Sequence, residues 1–190
     1  MTGLVRGTVR LVAHQDEWDS HAEQTMKTLK RLLGDIALDL QHVGSTAIPL
    51  IHAKPIMDIA VGVRDLQDIT LSIGVLKQNG FVFRGEDVPG QVLFVMGDFE
   101  NDVRTHHIHV VKWKGSQWEN YIRFRDYLNA FPEKAMAYDD CKRKLAAQFP
   151  NDRRSYTAGK QEWIESLLQE ASVWRSQQSH CFSSVTVGAD

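Results

Sequence analysis

The nine residues Pro55-Ile-Met-Asp-Ile-Ala-Val-Gly-Val63 constrain this chain more than any other segment, because they form an apolar run with a single carboxylate, Asp58, near its middle. Such a run reads as a strand buried within a sheet. A carboxylate in that setting must be paired, bound to a metal or turned toward a solvent-facing site, since burying it alone is too costly. The fold therefore has to bring a partner or a binding site to Asp58.

Hydrophobic periodicity supplies the surrounding elements. Thr8 to Ala13 reads as a short strand, and Asp16 starts a helix with Trp18, Ala22, Met26, Leu29 and Leu33 at helical spacing, closed by Gly34. Ile36 to Val43 is strand-like and leads into the turn-rich Gly44 to Pro49. Asp65 caps a helix carrying Leu66, Ile69, Ile73 and Leu76, which Asn79-Gly80 ends. Phe81 to Phe83, Val92 to Met96 and Val103 to Lys112 are β-branched or aromatic and are separated by Pro89-Gly90 and Gly97-Asp98, a pattern that predicts an antiparallel meander.

From Ser116 the pattern turns helical. Ser116 and Glu119 form a capping-box sequence, Pro132 suits a first turn, and Ser155 is placed to cap the last of three helices, which holds Trp163, Ile164, Leu167 and Leu168. Segregation of helices at one end predicts an α+β fold: a single domain over residues 1–175, with a sheet-rich part at about 8–115 and a helical part at about 116–175. Residues 176–190 have no periodicity and are expected to be a disordered tail.

The 190 residues carry 22 Lys plus Arg against 24 Asp plus Glu, a net charge of −2 that excludes a uniformly basic surface for duplex nucleic acid. That near-balance is unevenly spread. Glu86 to Asp102 contains five acids and no Lys or Arg, whereas Tyr121 to Lys160 contains nine Lys or Arg against five acids, so the helical part is expected to line an anionic ligand. Cys141 and Cys181 fit neither a disulfide framework nor a zinc spacing, and no secretory or membrane-spanning stretch is present, which predicts a cytoplasmic protein without a membrane partner.

Chemistry concentrates in His42-Val-Gly-Ser-Thr-Ala-Ile-Pro49 and Lys54-Pro-Ile-Met-Asp58. A strand that ends in Gly-Ser and enters a tight turn exposes backbone N–H groups which, with the hydroxyls of Ser45 and Thr46, can cradle a phosphate, while Gly44 lets the ligand come close. Asp58 on the next strand would then need a metal ion to bridge it to phosphate oxygens. A plain turn, with Asp58 paired to Lys54 or an arginine, is the other reading.

In Arg104-Thr-His-His-Ile-His-Val-Val111, alternation puts His107 and His109 on one face and His106, Ile108 and Val110 on the other. A His-x-His pair facing Asp58 completes a two-histidine, one-carboxylate metal set, which suits zinc or a transition metal better than magnesium. Core packing of these imidazoles stays open. His42 could orient Ser45 or a phosphate, or be satisfied by backbone. Lys54 and Arg104 could pair with phosphate, and Arg125, Lys142 and Lys160 could close over an anionic substrate; ordinary salt bridges or a solvated face are the alternatives.

Two patterns carry less than they suggest. Tyr156 and Lys160 have the spacing of a short-chain dehydrogenase pair, but no dinucleotide-binding glycine motif accompanies them. Trp113, Trp118, Tyr121, Phe124, Tyr127 and Phe131 fall near helical spacing and are expected to pack rather than stack bases.

Taken together, Trp18, His42 to Pro49, Lys54 to Asp58, Arg104 to Val111, Phe124 to Leu128 (FRDYL), Tyr138 and Tyr156 to Lys160 resemble the GrpB family, over roughly residues 8 to 170. The resemblance implies a nucleotidyltransferase-like mixed sheet with flanking helices and a C-terminal helical bundle portion. It implies a nucleoside triphosphate held by the Gly-Ser turn and a divalent metal (Mg, Mn or Zn) held by acids on the following strand. Some relatives are fused to dephospho-CoA kinase, which implies a link to nucleotide or coenzyme A chemistry. In nucleotidyltransferases the metal strand reads Asp-x-Asp or Asp-x-Glu; here Asp58 matches the first acid and Ala60 stands at the second. Leu50 also replaces the glycine that usually follows the proline of the turn. Two functions follow as expectations: transfer of a nucleotidyl or phosphoryl group using Asp58, His107 and His109, or non-catalytic binding of a nucleotide or phosphorylated metabolite.

Overall fold

A computed structural model describes residues 2–185. Its centre is a five-stranded mixed sheet formed by β2 (Asp39–Val43), β3 (Met57–Val63), β4 (Val82–Val88), β5 (Gln91–Met96) and β7 (His106–Lys112), in the order β2-β3-β7-β5-β4. The apolar run around Asp58 is the inner strand β3, antiparallel to β2 and parallel to β7; β5 and β4 continue the sheet antiparallel, as the meander pattern predicts. A small ribbon of β1 (Leu4–Val5) and β6 (Val103–Arg104) lies apart from it.

One face of the sheet is the main core. Met57, Ile59, Val61 and Val63 of β3 and Ile108 and Val110 of β7 are at most 1% exposed and pack with Trp18, Ala22, Leu29 and Leu33 of α1 (Glu17–Leu33). Leu76 of α2 (Ile73–Gln78) and Ile69 of the 3-10 segment before it close the same core. That segment begins with the expected Asp65 cap, a full capping box completed by Asp68. Gly80, at φ 87°, supplies the left-handed turn that ends α2.

The opposite face is covered by late helices: α3 (Ser116–Ala130), α4 (Pro132–Gln148), α5 (Arg153–Gly159) and α6 (Gln161–Val185). Trp118 of α3 seals Val43, Ala60 and Val111, while Tyr127, Leu128, Ala135, Tyr138, Leu167 and Ala171 form a second apolar cluster between helices. Ile48 and Ile51 enter that cluster and anchor the Gly44–Leu50 turn to the helical layer. Leu50 is exposed and has no positive φ, so the missing glycine does not distort the turn.

Several local expectations are corrected. Thr8 to Ala13 is not a strand, because its backbone finds a sheet partner only at Val12, which exchanges hydrogen bonds with Ala53. Ser116 caps nothing: α3 starts one residue earlier in register, with Gly115 at the cap position and the left-handed Lys114 before it. There are four late helices rather than three, because Asp152, not Ser155, is the side-chain cap, and it starts the short α5. The final helix runs to Val185, past the expected end at 175, in a stretch without Gly or Pro to break it; residues 186–190 lie outside the described residues. Among the described residues no helix is long and apolar enough to cross a membrane.

Candidate active site

The face of β3 and β7 turned away from the main core carries Asp58, His107 and His109. Because the two strands run parallel in register, Asp58 lies opposite His107 and Ala60 opposite His109. One carboxylate oxygen, Asp58 Oδ1, hydrogen-bonds both His107 Nδ1 and His109 Nε2 at 3.1 Å. Burial works to raise the Asp58 pKa, but these two hydrogen bonds outweigh it and hold the carboxyl well below the usual range. The other oxygen, Oδ2, sits against Gly44: a Cβ there would lie 2.6 Å from it, and φ at Gly44 is 70°. Glycine is thus required first by the approach of Asp58 itself.

A cavity of about 360 Å³ opens above this cluster. Gly44, Ser45, Thr46, Lys54, Asp58, His107, His109 and Lys160 all line it, so most of the residues singled out from sequence converge. Lys142 and Arg153 line it too. Four basic side chains, of which Lys142 is also paired with Asp139 at 3.6 Å, therefore line it with one acid. Their mutual repulsion is partly relieved by Tyr156, whose ring carries Lys160 Nζ at 4.6 Å and Lys54 Nζ at 5.5 Å from its centroid. Burial, helped by the charges of Arg153 and Lys160, lowers the Lys54 pKa to about 7. Burial likewise takes Lys142 to about 7 against the pull of Asp139, and it also lowers Lys160.

Lys142 is almost fully buried. It donates to the His52 carbonyl and lies 3.5 Å from Ser45 Oγ. Asp139, one turn earlier on α4, accepts from the His52 backbone N–H at 2.7 Å and meets its ring at 2.8 Å. The helical layer thus grips the loop after the Gly-Ser turn and delivers a cation behind it.

Three residues expected at the site lie elsewhere. His42 bridges Asp19, at 3.2 Å, and the Thr46 hydroxyl, at 2.9 Å, so it braces the turn from behind; burial lowers its pKa. Arg125 donates to Gln41 Oε1 at 2.8 Å and the His42 carbonyl at 3.0 Å, tying α3 to β2. Arg104 pairs with Asp102 at 3.1 Å and lines a neighbouring pocket. Of the aromatic series, Phe124, Tyr127 and Phe131 pack between helices as expected, but Tyr121 reaches the cavity, its ring centroid 5.1 Å from that of His109. Arg153 had no signal beyond the basic balance of residues 121–160.

The donor set of two imidazole nitrogens and one carboxylate oxygen, all within 4.8 Å of one another, fits a single zinc or transition-metal ion better than a magnesium pair. Ala60, where a second acid would stand, is fully buried against Trp118.

Comparison with known proteins agrees with this architecture. Residues 8–170 match the family described as GrpB protein. The glutamate-rich protein GrpB of Alkalihalophilus pseudofirmus is 38% identical over 173 residues, covering 90% of this chain and 99% of its own. The UPF0157 protein YqkA of Bacillus subtilis is 32% identical over 178 residues, covering 93% of this chain but 51% of its own length. The crystal structure of the conserved protein GrpB from Enterococcus faecalis superposes with a TM-score of 0.79 at 28% identity, covering 87% of this chain and 99% of that one. With its five-stranded mixed sheet and the Gly-Ser and Lys-Pro-x-x-Asp segments meeting in one cavity, this chain belongs to the GrpB family.

Proposed function

We propose that the protein binds a nucleotide, or another small molecule bearing phosphates, in the cavity above Asp58, and transfers a nucleotidyl or phosphoryl group from it to a small acceptor with one divalent metal. The observation that carries this reading is the charge of the wall: Lys54, Lys142, Arg153 and Lys160 line about 360 Å³ with Asp58 as the one acid in the lining, Lys142 being paired behind it with Asp139 at 3.6 Å. A polyphosphate neutralises such a wall, and the backbone and hydroxyl of Ser45 offer it further donors. Asp58, His107 and His109 would hold the metal, which supplies Lewis-acid stabilisation of charge on phosphate oxygens. Lys54 and Lys160 bind the leaving phosphates, and the Tyr156 ring fixes the two ammonium groups relative to each other.

A second reading, non-catalytic nucleotide binding, is favoured by Ala60. With no second carboxylate on β3 and Trp118 filling the space, the two-metal arrangement of nucleotidyltransferases cannot be assembled on that strand.

Thermal melting with nucleoside triphosphates, in zinc, manganese, magnesium or chelator, tests both. A ligand at 100 times its dissociation constant stabilises by about 2.7 kcal/mol. The binding reading requires a shift that Lys54→Ala with Lys160→Ala removes. Transfer further requires, with a hydroxyl-bearing acceptor present, metal-dependent release of pyrophosphate for nucleotidyl transfer or of nucleoside diphosphate for phosphoryl transfer, which Asp58→Asn abolishes. A metal-independent shift without turnover selects the second reading, and no shift with any nucleotide ends the nucleotide form of both and leaves another phosphate-bearing small molecule as the occupant.

A further inference from the structure

Beside the main cavity, and sharing His107 and Arg153 with it, is a second pocket of about 250 Å³ whose wall includes four arginines: Arg6, Arg84, Arg104 and Arg153. They come from four separate segments: the turn after β1, then β4, β6 and the start of α5. The convergence is built rather than incidental. The β1/β6 ribbon pairs Leu4 with Arg104 and Val5 with Val103, and the next residue, Arg6, donates its backbone N–H to the Asp102 carbonyl at 2.9 Å. The Phe99 ring holds Arg84 and Arg104 by its face, at 5.8 and 4.7 Å. Arg104 is itself only 7% exposed.

Among the described residues, Asp102, bonded to Arg104, is the one carboxylate ion-paired with any of the four. Four guanidinium groups against Asp102 and, across the shared wall, Asp58 leave a net positive charge around a space the size of a phosphate ester. Like charges brought this close repel unless an anion sits among them. Guanidinium forks match phosphate oxygens in pairs, which distinguishes this wall from the lysine-rich one next door.

We infer that the four-arginine pocket is a second ligand site, for the phosphate of a small phosphomonoester or diphosphate that binds alongside the occupant of the main cavity. The shared wall of His107 and Arg153 then places the two ligands next to each other, at the edge of the Asp58 cluster. The pocket's existence does not depend on what the main cavity holds.

Calorimetric titration of the full chain with inorganic pyrophosphate tests it. The wild type is expected to bind two equivalents, and Arg6→Ala with Arg84→Ala, both exposed positions whose loss leaves the core intact, is expected to bind one with the other weakened at least tenfold. Lys54→Ala with Lys160→Ala should retain the equivalent that the arginine variant loses. Unchanged binding in the arginine variant, or no binding by the wild type, overturns the inference. One wild-type equivalent that the arginine variant abolishes upholds it and counts instead against the main-cavity reading. A short single-stranded RNA that outcompetes pyrophosphate at the arginines overturns the small-molecule assignment. Unchanged melting of the arginine variant without ligand establishes that lost binding is not lost folding.

Discussion

The two faces of β3 and β7 are made by alternate residues of the same fourteen positions, yet they follow opposite rules. On one face Met57, Ile59, Val61, Ile108 and Val110 vanish into a core closed by helices from the first half of the chain. On the other, Asp58, His107 and His109 keep side-chain exposures of 30, 14 and 13% and are roofed by helices from the second half. The first face is stabilised by packing, with the buried His106–Thr25 hydrogen bond as its polar exception, and at its apolar positions any apolar group of the right volume would serve. The second retains polar groups whose desolvation is offset only by one another and by whatever ligand enters. A one-residue slip of register would exchange the two, so stability and site geometry are specified together.

Substitutions one residue apart should separate these rules. Ile59→Ala is expected to cost about 2–5 kcal/mol in urea denaturation, through lost burial and the cavity left behind. A loss under about 1 kcal/mol would mean the core face is not close-packed. Gly44→Ala should follow, at about 1–3 kcal/mol, from a strained positive φ and contact with the Asp58 carboxylate. Its distinguishing readout is loss of the triphosphate-induced melting shift even where the protein stays folded. Arg125→Ala should cost about 1–2 kcal/mol by leaving the His42 carbonyl without its donor. Triphosphate affinity should change less than twofold; a tenfold fall would return Arg125 to the ligand.

The last effect is one of pH. Lys54 and Lys142 are held near 7 in the folded chain, against about 10.4 in the unfolded one. Between these values the unfolded chain binds more protons, so stability should rise with pH from about 7 to 10. Affinity for sulfate, an anion whose own charge stays constant, should fall over the same window as the lysines discharge. Opposite slopes for stability and anion binding are expected, and the stability slope should flatten in Lys142→Met. Parallel slopes would remove these lysines from the anion site.

Much of the sheet was legible because strand alternation is local. Asp58 inside an apolar run, and His107 and His109 two apart, share a face by the period of two, and the structure brings them together. Glycine and aspartate signals were equally direct where backbone conformation decided the matter, as at Gly80 and Asp65. The errors came where a short pattern depended on a distant partner. Thr8 to Ala13 has strand composition but meets only Ala53. Arg125 has the right chemistry for phosphate, but Gln41, Asp126 and the His42 carbonyl take up its donors.

The amino-acid sequence by itself determined the α+β class, the buried central strand and the face on which its carboxylate meets two histidines, because these follow from periodicities of two and 3.6 residues and from turn chemistry. Tertiary structure alone decided which cations surround that cluster. Lys142 reaches Ser45 across 97 positions of sequence, and Arg153 joins it from a helix whose own pattern does not mark its direction. The physical reason is that helix-on-sheet packing is chosen by the fit of apolar surfaces such as Ile48, Tyr127 and Leu167, and the charges that ride on those helices go where that packing puts them.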